Sequence, residues 1–222
     1  MRIVDLSMPI RPHFRWNPEV AVKGDIAAGD QFRITRISTT CHGFTHVDAA
    51  AHFVANAPTI ESTPLSRVVG PCRVLDLRGV PDNAEIGPDR LAASDPGGPD
   101  GEILLLSVGW DRRRDPDTAA FWTQAPWLSR GAAEWLQARR PTAVAFDFPQ
   151  DYPIRLLLDN TSVPKDQHVT HDVLLTHGVT LIEYLVNTSE LAPRVILCAA
   201  PLLIPGADGA PARAFAIEGL PA

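Results

Sequence analysis

The chain is short of cysteine, of basic charge and of long apolar runs, and each shortage removes a class of protein. Three cysteines occur in 222 residues: Cys41, Cys72 and Cys198. An odd number set far apart forms neither a disulfide framework nor a Cys-x-x-Cys metal ribbon, which suits a reducing compartment. Lysine and arginine number 20 against 26 acidic residues, a net charge of -6, so nucleic acid is not an expected partner. The only basic run, Arg112-Arg113-Arg114, is flanked by Asp111 and Asp115 and reads as a solvated loop. No apolar stretch approaches the ~20 residues of a membrane span. Asp5 interrupts the N-terminus before a signal-peptide core forms. Repeats and low-complexity tracts are also lacking. The expectation is a cytoplasmic protein with no membrane and no nucleic-acid partner.

What the chain does contain is enough apolar material for a full core. At 45% hydrophobic, residues 1–222 are expected to form one domain. Strands are expected at 2–6, 31–40, 72–77, 142–147, 179–185, 195–198 and 213–217. Glu102 to Val108 is a nearly continuous apolar run, the pattern of a strand buried on both faces. Ser129 is placed to cap a helix over 130–139, which Pro141 stops. Shorter helical turns are expected near 88–93 and 117–124, and a helix over 168–177 closed by Gly178. Residues 148–167 read as a long polar connection of the kind that covers a site. Strands mixed with few helices indicate a mixed α/β (α+β) domain rather than a βαβ repeat.

The chemistry concentrates in one stretch. Three of the seven histidines, with one aspartate, fall within eleven residues: His42, His46, Asp48 and His52. The gaps of four, two and four are all even, so on an extended chain the four side chains share a face. On a helix, His42/His46 and Asp48/His52 would pair as i, i+4 neighbours. Either geometry converges imidazole and carboxylate groups, the ligand types of zinc, manganese or iron(II). The β-branched segment 32–40 is expected to lead this cluster into the interior. Further along, Glu183 is an acid inside an otherwise apolar strand, costly to bury unless a cation compensates it. Trp16 is either a core-edge aromatic or a wall for a flat substrate. Cys41 beside His42 lacks the context of a nucleophile.

Together these segments resemble the metal-dependent cyclase family, which includes bacterial kynurenine formamidase and isatin hydrolase. The family motif His-x-Gly-Thr-His-x-Asp-x-Pro-x-His is matched by His42-Gly43-Phe44-Thr45-His46-Val47-Asp48-Ala49-Ala50-Ala51-His52. His171 and Glu183 match a later His and Glu twelve residues apart. The opening Asp5 to Ile10 and the closing Pro201 to Ala214 also resemble the family. The resemblance implies a swivelling β/β/α fold, a homodimer or homotetramer, and one or two divalent metals per chain. It assigns His42, His46 and Asp48 to a first metal, zinc or manganese. His171 would hold a second, with Asp48 and Glu183 bridging. His52 becomes the proton shuttle, and Trp16 and Phe44 substrate contacts.

Phe44 stands where the motif has glycine, Ala50 where it has proline, and Gln150 where Asp147-Phe148-Pro149-Gln150 would carry serine. Phe44 is expected to place a bulky ring beside the metal. The expected activity is hydrolysis of a C–N bond in an aryl formamide or small cyclic amide by a metal-activated water. The rival readings are a metal-dependent lyase or cyclase, and a catalytically silent metal-binding module. Arg155 is either a partner for a substrate carboxylate or, more simply, an exposed loop arginine.

Overall fold

The computed structural model describes residues 1–220. Its strands, in chain order, are β1 (Arg2–Asp5), β2 (Glu19–Gly24), β3 (Ile34–Ser38), β4 (His46–Asp48), β5 (Val69–Asp76), β6 (Glu85–Ile86), β7 (Ile103–Ser107), β8 (Trp127–Leu128), β9 (Ala143–Phe146), β10 (Thr180–Glu183), β11 (Arg194–Cys198), β12 (Gly209–Pro211) and β13 (Phe215–Glu218). The α-helices are short: α1 (Pro88–Ser94), α2 (Trp110–Arg113), α3 (Ala119–Thr123), α4 (Arg130–Gln137) and α5 (Val169–Val173). Nine strands form one sheet in the order β1-β13-β11-β5-β7-β9-β10-β4-β12. The centre, β5-β7-β9-β10, is parallel, and both flanks are antiparallel. This is a mixed α+β architecture, as the sequence indicates.

The apolar runs explain the centre. In β7 every residue is buried. Leu104 and Leu106 face one hydrophobic cluster, with Leu91, Phe121, Trp122 and Leu136 of the helical layer. Ile103 and Leu105 face the other, with Val47, Val195, Leu197 and Ala216 from strands beyond the centre. Two-residue alternation thus sends neighbouring side chains into separate cores. Helix α4 begins where the sequence places it, with the Ser129 hydroxyl accepting from the Ala132 N–H at 3.1 Å.

Four expectations need correction. The segment 31–40 does not carry the histidines inward: β3 pairs only with β2, in a hairpin whose β3 residues are all exposed. The work is done by β4, a separate three-residue strand buried throughout. The connection 148–167 is not structureless, because Tyr152–Asp159 winds into a 3-10 helix that buries Pro153 and Ile154. The helix expected over 168–177 is broken into α5 and a 3-10 turn at Leu175–His177, though Gly178 does close it at φ 77°. Finally, Arg112 and Arg113 lie in α2. Arg113 and Arg114 both pair with Asp82 and lie over the Trp110 ring, so the run is an anchor and not a loop.

Candidate active site

Strand register assembles the site. Antiparallel pairing sets Glu183 of β10 opposite His46 of β4, and Leu181 opposite Asp48. On its other edge β4 pairs with β12, where Gly209 faces Asp48. A Cβ on Gly209 would fall 2.7 Å from His42 Cε1, so only glycine lets this strand approach the imidazole. His42 arrives from the turn before β4 and His52 from the 3-10 turn Ala50–His52 after it. His171 is supplied by α5. The even spacing in the sequence therefore describes only His46 and Asp48; the other two histidines converge through turns.

The five expected metal ligands gather about the Asp48 and Glu183 carboxylates, and His171 also groups with Asp151 and His168 as a possible ligand set. His42 Nδ1 lies 2.8 Å from Asp48 Oδ1, and His46 Nε2 lies 3.2 Å from the same oxygen. The second Asp48 oxygen, Oδ2, faces His171 Nε2 at 3.7 Å. Glu183 divides in the same manner, Oε2 toward His46 at 3.8 Å and Oε1 toward His171 at 3.6 Å. Each histidine is held by an acceptor at its other nitrogen. The Phe44 carbonyl accepts from His46 Nδ1 at 2.8 Å. A carbonyl cannot donate, so that nitrogen carries the proton and Nε2 presents a lone pair in the neutral ring. Asp151 Oδ2 accepts from His171 Nδ1 at 2.7 Å, and Asp208 Oδ2 lies 2.9 Å from His42 Nε2.

Two buried atoms in this cluster, His46 Nε2 and Asp48 Oδ2, have no hydrogen-bond partner. Leaving buried polar atoms unmet costs about 1–3 kcal/mol each. A divalent cation would satisfy both, and the mixed nitrogen and oxygen donors fit one. Electrostatics agree. Burial opposes protonation of His42, yet the Asp48 and Asp208 carboxylates outweigh it and raise its pKa to about 9. For His171, Asp151 and Glu183 outweigh burial in the same way, again to about 9. In the metal-free chain, protons stand where a cation would.

His52 differs. Its ring stacks on His42 at 3.7 Å between centroids, and its Nδ1 lies 3.4 Å from Asp208 Oδ2. Burial, with the charges of His42 and His171 beside it, pushes its pKa below the ordinary imidazole value. It is base-competent near neutrality. Geometry alone also groups it with His42 and Asp48 as a possible ligand set.

The cluster forms the floor of a cavity of about 440 Å³. Trp16, Phe53, Ile154, Leu157 and Tyr184 contribute apolar walls. Phe44 is not on that wall. It sits behind Trp16, ring centroids 4.7 Å apart, and is 1% exposed. The motif glycine has a conformational meaning here, since Phe44 adopts φ 59°, at a cost of roughly 1–2 kcal/mol for a residue with a Cβ. Gln150 donates to Glu183 Oε1 and to Thr170 Oγ1. Arg155 is occupied by Asn83 and the Ala125 carbonyl and does not line the cavity.

The orienting carboxylates Asp151 and Asp208 are not recognisable as site residues from the sequence, nor is His168 on the cavity wall. Asp151 and His168 do stand twenty and three residues before His171, a His-containing neighbourhood that offers a weak signal.

Comparison with known proteins settles the family. The family model "Cyclase", described as "Putative cyclase", matches residues 4–150. The chain belongs to this cyclase family. The kynurenine formamidase of Salinibacter ruber is 31% identical over 181 residues, 81% of this chain and 76% of that protein. That of Maricaulis maris is 29% identical over 223 residues, covering 96% and 97%. Among solved structures, a potential metal-dependent hydrolase with cyclase activity superposes with a TM-score of 0.76 at 27% identity, covering 99% of both chains. Isatin hydrolase A from Labrenzia aggregata shares the fold, with a TM-score of 0.80 at 22% identity over 97% of this chain and 93% of that one. Membership makes the chain a metal-dependent hydrolase relative, and the cyclase-family fold accounts for the histidine floor.

Proposed function

We propose that this protein is a metal-dependent amidohydrolase that cleaves the C–N bond of an aryl formamide or small cyclic aryl amide. The observation that carries the reading is the pair of unpartnered buried atoms, His46 Nε2 and Asp48 Oδ2, at the floor of an aromatic cavity. Relatives named kynurenine formamidase, and the isatin hydrolase fold, support the substrate class. His42, His46 and Asp48 would hold one zinc or manganese ion. His171 would hold a second together with Asp48 and Glu183, each of which turns one oxygen toward His46 and the other toward His171.

When bound, such a cation supplies Lewis acidity toward the amide carbonyl and the attacking water. The remaining steps belong to side chains. His52, neutral near pH 7, takes a proton from the water and returns it to the leaving amine nitrogen. Asp208 holds its Nδ1, which leaves Nε2 as the working atom. Trp16 and Phe53 confine the aryl ring. An aryl formamide gives formate and an arylamine, and a cyclic amide opens to one molecule that carries both the carboxylate and the amine.

The protein acts on a small molecule in the cytoplasm, and a second copy covers the exposed β2–β3 hairpin in a homodimer or higher assembly. Among the described residues, no helix is long and apolar enough to cross a membrane. The test is turnover of formanilides in oxygen-labelled water by metal-loaded wild type and H52N. Label in the acid product, with H52N slowed on the order of a hundred- to ten-thousandfold while retaining metal, supports the reading. Full turnover by H52N removes the shuttle role, and unlabelled product points to a lyase.

A further inference from the structure

One cation on the cavity wall has no task in the mechanism above. Arg15 lines the cavity beside Trp16, entering from the segment between β1 and β2, whereas the metal-ligand candidates come from around β4, α5 and β10. Its Cζ lies over the Trp122 ring, 4.5 Å from the centroid, and its Nη1 is buried without a hydrogen-bond partner. The other lysine or arginine lining the cavity is occupied. Lys165 donates to the Phe53 carbonyl and sits over the Phe53 ring, and Arg155, whose Nε is also unpartnered, does not line the cavity.

A buried donor left unmet is unfavourable, and a planar guanidinium matches a carboxylate through two parallel hydrogen bonds. Stacking on Trp122 fixes the plane of Arg15 in advance, so little side-chain freedom is lost when an anion arrives. The aromatic walls beside it accept a ring.

We propose that Arg15 reads an anionic group on the substrate, so that the aryl amide hydrolysed here carries a carboxylate on or near its ring. The word substrate rests on the hydrolase reading, but the anion site does not.

The experiment compares two products of the expected reaction that differ only in charge, an aminobenzoate and the matching aminobenzamide. Their binding to zinc-loaded wild type, R15Q and R15K is measured by calorimetry. Wild type is expected to bind the acid about tenfold more tightly, a charge-assisted increment. R15Q closes that gap by weakening the acid alone, and R15K keeps part of it. Any preference of the zinc ion for carboxylate is common to all three proteins and cancels. Equal binding of acid and amide to wild type, a gap that persists in R15Q, or equal weakening of both ligands overturns the proposal. Turnover of the matching formanilides separates the two readings. A binding gap without turnover leaves the anion site and removes the hydrolase; turnover without a gap does the reverse.

Discussion

Asp151 lies outside the expected ligand set, although geometry also groups it with His168 and His171 as a possible one, and its exchange for asparagine is expected to loosen metal binding. Its Oδ1 accepts from the Thr170 backbone N–H at 2.8 Å. Its Oδ2 accepts from the Thr170 hydroxyl at 2.8 Å and from His171 Nδ1 at 2.7 Å. The backbone donor cannot reverse, so in D151N the amide oxygen must remain at the Oδ1 position. The NH₂ then faces His171 Nδ1, donor against donor. The imidazole escapes by moving its proton to Nε2, the atom that points toward Asp48 and Glu183. Loss of such an orienting partner typically costs ten- to a hundredfold in metal affinity, about 1.4–2.7 kcal/mol. Size and shape hardly change, so packing does not explain the loss. Competition with a chromophoric chelator measures it, beside a thermal melt to verify folding. A folded D151N that binds zinc as tightly as wild type refutes the argument.

Two further outcomes are expected. His42 and His171 of the metal-free chain hold protons up to about pH 9, and a cation must displace them. Affinity therefore rises with pH between about 7 and 9, about tenfold per unit for each proton released, and levels off above. Calorimetry in buffers of different ionisation enthalpy reads the proton count directly, and a pH-independent affinity contradicts it. The second concerns assembly. Val20 and its cross-strand partner Ile37 share a hairpin face with Val22, and all three are more than half exposed. An isolated two-stranded hairpin is marginal in water. V22D/I37D should shift the protein to monomer by light scattering, and an unchanged mass would show that the hairpin is not the interface.

The sequence was informative where chemistry and burial leave a local trace. The run Ile103–Ser107 announces a doubly buried strand because both faces need apolar side chains, and Ser129 announces α4 because a helix start needs an acceptor. His42, His46, Asp48 and His52 were visible because four such groups so close together are uncommon. The orienting residues were not. Asp208 is an ordinary loop aspartate until the β4–β12 register carries it to the imidazoles, and Asp151 until the turn after β9 sets it against α5. The hairpin misled because β-branched residues favour a strand without stating whether its faces are covered. Phe44 misled for another reason. A side chain at positive φ projects differently from one on a strand, and this ring turns behind Trp16 instead of toward the ligands.

Asp208 ties together groups that synthesis separates widely. It reaches back 166 residues to His42 and 156 to His52, on the segment that delivers edge strand β12. A nascent chain thus exposes most of its imidazoles long before it can orient them. Until β12 docks, early histidines are free to swing and to bind metal loosely in wrong geometries. Docking of β12 and orientation of these imidazoles are then one event, so tight metal uptake reports that this edge of the sheet has closed.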